Sequence, residues 1–497
     1  DPASLRANLF AMPIAEPLAV VHRRAWAENA AGFNELLWRE EHWEFWKRLA
    51  RAGAQFAFLP LCSGRRGGTV HARPPHLTRR QRETFEANWR AGRPIYGDTT
   101  AGVARKPVQK VAFLSPYCLL DHTSGAAIAT RSALQLLANS SFQARAFCGS
   151  WLDAPPRASS EYASSPAASD WSGNVETAVF PIGTGRIAVA DPPQVTAFYQ
   201  ACSAFLDSYR PDAILTYGGD PVSQTLVSLA RNRDIPVVFG LHNASYQDPQ
   251  AFTDVDYVVV PSEYARQTWW DNFGMACHLL PNVIDPQRVL AADRKPECVT
   301  FVNPQTAKGG FVFARIAEQL ARRRPDIPLL VVQGRSQDGA LEQTRVDLSG
   351  ANLQVIDSTA DPRTFYARTK LLLMPSLCNE SFGLTAAEAM LNGIPVLASN
   401  RGALPATVSD GGFLFDIPAC YTPQTRDVPT ADEVEPWIDA ILRLWDTPDT
   451  YHTASTAAMH RAQAWLPDRL ASTYQAFFSN LHPQPGPPYV PPPPNSP

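Results

Sequence analysis

From residue 108 onward the chain alternates short blocks of consecutive apolar residues with longer stretches whose apolar residues recur at helical spacing. The blocks Val108–Ser115, Tyr257–Val260, Val299–Val302, Leu329–Val332, Leu353–Ile356 and Leu371–Met374 lack the in-out alternation of a half-solvated strand. All six predict strands, with Leu371–Met374 buried and Val108–Ser115 suited to the middle of a parallel sheet. Further strands are expected within Arg210–Tyr217, Pro236–Gly240 and Gly411–Phe415. Between the blocks, helices are expected at Ala126–Ala138, Pro193–Ser208, from Pro261 onward, and at Phe311–Arg323, Leu384–Leu391, Val434–Leu444 and Leu470–Leu481. Strand, loop, helix in repetition is the order of an α/β doubly wound fold, whose ligands bind beyond the carboxyl ends of the strands. Residues 1–90 have another texture: an amphipathic helix, Trp38–Leu49, and a helix-forming stretch, Thr78–Ala91. Ala91–Pro107 reads as a linker, Ala154–Asp170 as a mobile Ser/Ala/Pro-rich loop, and His482–Pro497 as a disordered polyproline tail. Gly183-Thr184-Gly185 lacks the third glycine of a dinucleotide loop and reads as a turn.

Candidate chemistry concentrates in Leu371–Val408. The strand there stops at Pro375, and Asn379-Glu380-Ser381-Phe382-Gly383 leads into a helix closed by Asn392-Gly393. The first turn of a helix carries unpaired N–H groups and the positive end of its dipole, a seat for phosphate oxygens. Gly383 lets a ligand come close. Glu380 faces that seat, and Glu388, eight positions on, is placed to accept hydrogen bonds from a diol of the same ligand. A nucleotide sugar offers a sugar, a diphosphate and a ribose. Lys308 stands at a helix start, where a cation opposes the dipole unless an anion is bound. The strand Pro236–Gly240 ends in Leu241-His242-Asn243, a loop at the carboxyl end where ligands of such sheets bind.

Composition narrows the classes. The 497 residues are too many for one core, and 45% apolar with 18% charged residues is ordinary for a soluble protein. A net charge of −3 gives no basic footprint for nucleic acid. The eight cysteines form no C-x-x-C pair, so neither a zinc knuckle nor a disulfide framework is suggested, and a reducing compartment fits. No apolar run reaches the length of a membrane span, and no basic-then-apolar leader opens the chain. Residue 1 is Asp rather than Met, which fits a piece of a longer protein.

The string from Glu380 to Glu388, with its flanking strand, the Phe382-Gly383 pair, Glu388-Ala389-Met390 and the strand Gly393-Ile394-Pro395-Val396, resembles the E-x7-E motif of the family 4 retaining glycosyltransferases of GT-B fold. The resemblance implies that Glu380 positions the donor sugar, Glu388 holds the ribose, and Ser381, Phe382, Gly383 and Leu384 present the phosphate seat. It makes Ser124-Gly125-Ala126-Ala127 the counterpart of the family's GGAE-type loop, with Ser124 and Ala127 departing from it. His242 matches the histidine beside the donor sugar. Lys308-Gly309 matches the lysine of the diphosphate clamp, whose arginine position holds Asn303, so Arg335 and Arg401 are candidates for the missing charge. Asp220 is a candidate on the acceptor side, and the nucleotide base is expected near Asp357-Ser358. VPSEYARQTW and LPNVID resemble the passage between the family's two domains, near Asp285, and the last helix is expected to return to the earlier domain. Residues 11–90 are similar to the last third of a family 2, GT-A type enzyme, with His42 at the position of the usual catalytic base.

The expected fold class is therefore α/β, GT-B: two Rossmann-like domains facing across a cleft, with a partial GT-A-like N-terminal module. The expected layout is that module at 1–90, a linker at 91–107, an acceptor-side domain at 108–285, a nucleotide-sugar-binding domain at 286–481 and the tail at 482–497. The resemblance implies a retaining, metal-independent hexosyltransferase with Glu380, His242 and Lys308 as catalytic groups and Asn303, Ser381, Phe382, Gly383, Leu384, Glu388 and Gly125 as further donor-binding residues. It needs no cofactor besides the nucleotide sugar. A glycan or lipid-linked acceptor in bacterial surface polysaccharide or lipopolysaccharide synthesis is the implied setting, in the cytoplasm, with room for peripheral association at the inner membrane face. Two alternatives stay open: a sugar-nucleotide epimerase or hydrolase on the same scaffold, and a non-catalytic scaffold.

Overall fold

A continuous apolar run has no polar face to give to water, so it settles in the middle of a sheet covered on both sides. The computed structural model places the apolar blocks in that position except Leu353–Ile356, which forms a half-exposed edge strand, and it describes residues 107–484 apart from 153–167, 173, 183–191, 244–245, 247–248, 253 and 335–339. The GT-A-like reading of 1–90, with His42 and Trp38–Leu49, lies outside the described residues, as do the linker up to 106, the 183–185 turn, Arg335 and the tail beyond 484.

The first domain contains β1 (Lys110–Tyr117), α1 (Gly125–Ala138), β2 (Gln143–Trp151), β3 (Ala168–Ser172), β4 (Val175–Phe180), α2 (Pro192–Tyr209), β5 (Ala213–Thr216), α3 (Pro221–Arg231), β6 (Val237–Gly240), β7 (Tyr257–Val260), α4 (Glu263–Phe273) and β8 (Cys277–Leu279). Its eight strands lie in the order β3-β4-β2-β1-β5-β6-β7-β8. All described pairs are parallel except β3 with β4. Strand β3 corrects the expectation of a loop through Asp170: Ala168, Ser169 and Asp170 pair with Val179, Ala178 and Thr177. An edge strand is held by backbone bonds, so it needs no apolar run to mark it. Strand β1 also continues past Pro116 to Tyr117, with a register shift where the proline has no N–H to give.

Helix α5 (Pro286–Val289) leads to the second domain: β9 (Cys298–Val302), α6 (Gly310–Arg323), β10 (Leu329–Val332), α7 (Ala340–Gln343), β11 (Leu353–Ile356), α8 (Arg363–Tyr366), β12 (Thr369–Met374), α9 (Leu384–Leu391), β13 (Val396–Ser399), α10 (Leu404–Val408), β14 (Gly412–Phe415), α11 (Ala431–Asp446), α12 (Pro448–Ala462) and α13 (Pro467–Ser479). Six parallel strands lie in the order β11-β10-β9-β12-β13-β14. The described chain is thus two Rossmann-like α/β domains. Helix α13 returns to the first: Phe478 meets Phe142 edge-on at 6.4 Å, and the Tyr474 hydroxyl donates to the Pro281 carbonyl at 2.9 Å. Where the chain crosses between domains, Ile284 N–H donates to the Trp465 carbonyl at 2.9 Å.

Candidate functional site

In a doubly wound sheet the crevice opens where strand order reverses. Here the reversals fall between β1 and β5 and between β9 and β12, and the loops after β1, β9 and β12 line one cleft. The loops after β9 and β12 are stitched together by the Leu377 and Cys378 N–H groups, both on the Ala307 carbonyl at 2.9 and 3.0 Å. Gly309 makes that approach feasible: its φ is +87°, and a Cβ on it would stand 1.9 Å from the Pro375 carbonyl oxygen. The stitch brings Lys308 Nζ to 2.6 Å from Glu380 Oε1. Ser376 Oγ donates to the same oxygen at 2.8 Å and Cys378 Sγ approaches it at 3.8 Å, so these partners leave Oε2 to another donor.

Burial alone would raise the Glu380 carboxyl, but the Lys308 ammonium together with the Ser376 and Cys378 contacts holds the group below the usual carboxylate range. Burial likewise works against the Lys308 charge, and Glu380 overrides it, so the ammonium titrates well above its ordinary value. Burial, then the neighbouring Glu380 charge, pushes the Cys378 thiol up to about 11.

Helix α9 starts beside this pair. Its N-cap, Gly383, has φ +90° and offers no side-chain cap, so the first N–H groups are open to an anion from the cleft. Glu388, one of the buried charged groups, accepts from the Arg288 guanidinium on Oε1 and from the Tyr366 hydroxyl on Oε2 at 2.9 Å.

Lys308, Glu380, Glu388, Asn303, Gly383, Leu384 and Gly125 line one cleft of ≈ 1180 Å³, open mouth included. Arg288, Tyr366, Gln333 and Ser358 line the same cleft. A second lobe of ≈ 940 Å³ shares Gly125, Asn303, Lys308, Glu380, Gly383 and Leu384 and adds His242, Asn243, Asn282 and Ser381. A Cβ at Gly125 would meet nothing within 4 Å, so the start of α1 leaves its room to the cleft.

Several expected residues serve otherwise than expected. The Phe382 ring is buried edge-on against Trp465 at 5.4 Å, so this residue can offer a ligand its backbone only. The Ser381 carbonyl accepts from Ser262 Oγ at 2.6 Å and so ties the glutamate loop to the first domain. His242 Nε2 lies 3.2 Å from Thr130 Oγ1, and the ring meets Tyr217 edge-on. Asn303 has φ +63°, with its Oδ1 buried and without a hydrogen-bond partner.

Arg401 is spent on the carbonyls of Leu377, Tyr421, Ile417 and Pro418, which removes it as the missing cation of the clamp. Asp220 caps α3, accepting from the Val222 and Ser223 N–H groups and from Ser223 Oγ, so it holds a helix start. Sequence reasoning missed Arg288, Tyr366 and Ser376. Arg288 follows the domain passage with no motif of its own, and only folding brings it to Glu388. Among the described residues there is no group of three His, Cys, Asp or Glu side chains placed to hold a metal, and no helix is long and apolar enough to cross a membrane.

Comparison with known proteins matches residues 123–288 to the family described as Glycosyltransferase Family 4 and residues 297–447 to the family described as Glycosyl transferases group 1. The D-inositol 3-phosphate glycosyltransferase of Paenarthrobacter aurescens is 30% identical over 190 residues, 36% of this chain and 43% of that protein. The enzyme of the same name from Saccharomonospora viridis is 33% identical over 174 residues, 32% of this chain and 37% of that protein. The chain thus spans less than half the length of these curated relatives. Among solved structures, sucrose-phosphate synthase from Thermosynechococcus elongatus superposes with a TM-score of 0.55 at 18% identity, over 74% of this chain and 98% of that one. The Anabaena protein HepE, solved in complex with UDP and glucose, superposes with a TM-score of 0.52 at 18% identity, over 75% and 100%. At that identity the likeness shows the fold.

Proposed function

We infer that the chain, a GT-B fold matched in one domain by the family 4 glycosyltransferase model and in the other by the group 1 model, transfers a sugar from a nucleotide diphosphate donor to a hydroxyl acceptor. The observation that carries this reading is that Lys308, Glu380, Glu388 and the uncapped start of α9 line a single cleft between the two domains. The diphosphate would lie against Lys308 and the α9 N–H groups, with the ribose toward Glu388 and the sugar toward the lobe holding His242. The bond from the anomeric carbon to the departing phosphate oxygen breaks as the bond to the acceptor oxygen forms on the same face, with retention and without a metal. The departing phosphate oxygen takes the acceptor's proton. Positive charge preset at the leaving group supplies the larger part of such catalysis. Glu380 Oε2 is left to fix a sugar hydroxyl and to oppose charge building on the ring.

The donor sugar is a hexose in this reading. The acceptor is a glycan or lipid-linked glycan of bacterial surface polysaccharide synthesis, met at the cytoplasmic face of the membrane. The named relatives make an inositol phosphate the second acceptor to try. The test is product analysis after incubation with UDP-, GDP- and ADP-hexoses, each alone and with glycan or inositol 3-phosphate. Acceptor-dependent release of nucleoside diphosphate with an α-linked product from an α-linked donor supports the reading. Turnover to an epimer without acceptor, or no turnover and no nucleotide binding, overturns it.

A further inference from the structure

Among the described residues, the Lys and Arg side chains that line the cleft are Lys308 and Arg288, and each is paired with a carboxylate, Glu380 and Glu388 respectively. Two neutral pairs are poor company for a diphosphate unless one of them opens. Lys308 is fixed at a stitched turn. Arg288 is different: its guanidinium sits on Glu388, while its Nε is buried with no hydrogen-bond partner. Across the same cleft, Asn303 Oδ1 is likewise buried and unmet. A donor and an acceptor buried without a partner are costly, and both residues line the same cleft, so a side-chain shift that brings them partners is favoured there.

Glu388 carries the second half of the argument. Both of its oxygens are taken, one by Arg288 and one by Tyr366. A ribose diol reaches this carboxylate only by displacing a partner. Tyr366 is fully buried, whereas the Arg288 side chain keeps 20% of its surface exposed and is the one able to leave.

We propose that Arg288 is the second cation of the diphosphate site: as the donor arrives, its guanidinium passes from Glu388 to the phosphate oxygens, and the same exchange frees Glu388 for the ribose. Two negative charges of the diphosphate meet Lys308 and Arg288, and Glu388 trades an ion pair for two hydroxyl donors while keeping Tyr366. Only the side chain has to move, because the segment behind it is pinned to the second domain: Asn392 Nδ2 donates to the Val289 carbonyl and Asn392 Oδ1 accepts from Ala291 N–H, each at 3.0 Å. This assignment rests on the nucleotide-sugar reading given above.

The test is calorimetric binding of nucleoside, nucleoside monophosphate and nucleoside diphosphate to wild type, Arg288→Met, Arg288→Gln and Arg288→Lys, with melting curves as the fold check. A charge-assisted contact to phosphate predicts that Arg288→Met and Arg288→Gln lose roughly 10- to 100-fold in diphosphate affinity. Nucleoside affinity should stay level or rise, since Glu388 is released, and Arg288→Lys should recover part of the loss. Parallel losses for nucleoside and diphosphate would assign Arg288 to holding Glu388 and overturn the proposal, as would unchanged diphosphate affinity. Should the neutral variants melt early, Arg288→Lys is judged by the same comparison. A wild type that binds no nucleoside diphosphate sinks the proposed function itself; a wild type that binds, with variants that do not respond, sinks the arginine exchange alone.

Discussion

Replacing Lys308 by Met tests the centre of the site, because it separates a stability effect from a catalytic one. In the folded protein the Glu380 side chain is 13% exposed and Lys308 31% exposed, with 2.6 Å between their charged atoms. Removing the ammonium strands a largely buried carboxylate with Ser376 Oγ and Cys378 Sγ as its remaining partners. Breaking a buried pair from one side costs about 3–5 kcal/mol, and the partly exposed lysine puts this case near the lower end, about 3 kcal/mol. The pH dependence follows from the sign of the Glu380 shift.

In the wild type the folded carboxyl titrates below its unfolded value, so its contribution is present above that value, roughly 4.3, and is lost as pH falls through the depressed folded value. In the variant only the Ser376 and Cys378 contacts still work against burial, so the folded carboxyl rises, and the penalty is full at pH 8 and fades as the carboxyl protonates. Urea unfolding at pH 8, 6 and 4.5 should therefore show a gap between the two proteins that narrows toward acid. In turnover, loss of the leaving-group cation should lower kcat by about 10²–10³, the scale found for removing one preorganised charge or donor. A stability gap that stays constant with pH, or a kcat within about threefold of wild type, would refute the reasoning.

Gly125→Val places a side chain where a Cβ meets open cleft, so stability in urea should change by less than about 1 kcal/mol while the donor KM rises tenfold or more. An unchanged KM would take the start of α1 out of the site. Glu388→Gln keeps the shape but leaves Arg288 without its carboxylate, so it should destabilise by about 1–3 kcal/mol and weaken nucleoside binding about tenfold, read by melting and calorimetry. Ser262→Ala removes both the N-cap on Ala265 N–H and the bond to the Ser381 carbonyl; about 1–2 kcal/mol of stability should go with it, and a urea midpoint equal to wild type would show that neither bond matters.

The central strands were legible because burial on both faces writes itself as an uninterrupted apolar block, as at Leu329–Val332; Leu353–Ile356 also forms a strand, but at the sheet edge, with Gln354 and Val355 exposed. Helix α9 was equally plain, with glycine before it and Asn392-Gly393 after it. Strand β2 was not, since it alternates exposed Gln143 and Arg145 with buried Ala144 and Ala146 near one edge of its sheet. Helix α12 went unmarked because its Thr, His and Ser residues give a weak apolar stripe. At the cleft, Lys308 and Glu380 could be placed from the strand ends that carry them. The partners of Glu388 could not, because Arg288 lies 100 residues away and meets it only through the crossing between domains. Phe382 shows the converse limit: its place beside the phosphate seat was readable, but the direction of its ring was decided by Trp465, far along the chain.

The backbone bond between Ile284 and Trp465 lies where the chain passes from the first domain to the second and where it comes back. Two passages joined at one place act as a pivot, so the lobes can swing open but cannot drift apart or slide. The serine bond from Ser262 to Ser381, made away from that axis, is then the latch that such a swing would undo first. Cutting the chain ahead of Pro467 would remove α13 with its contacts to Phe142 and Pro281, leaving the Ile284–Trp465 and Ser262–Ser381 bonds to hold the walls of the cleft in register beside one covalent passage.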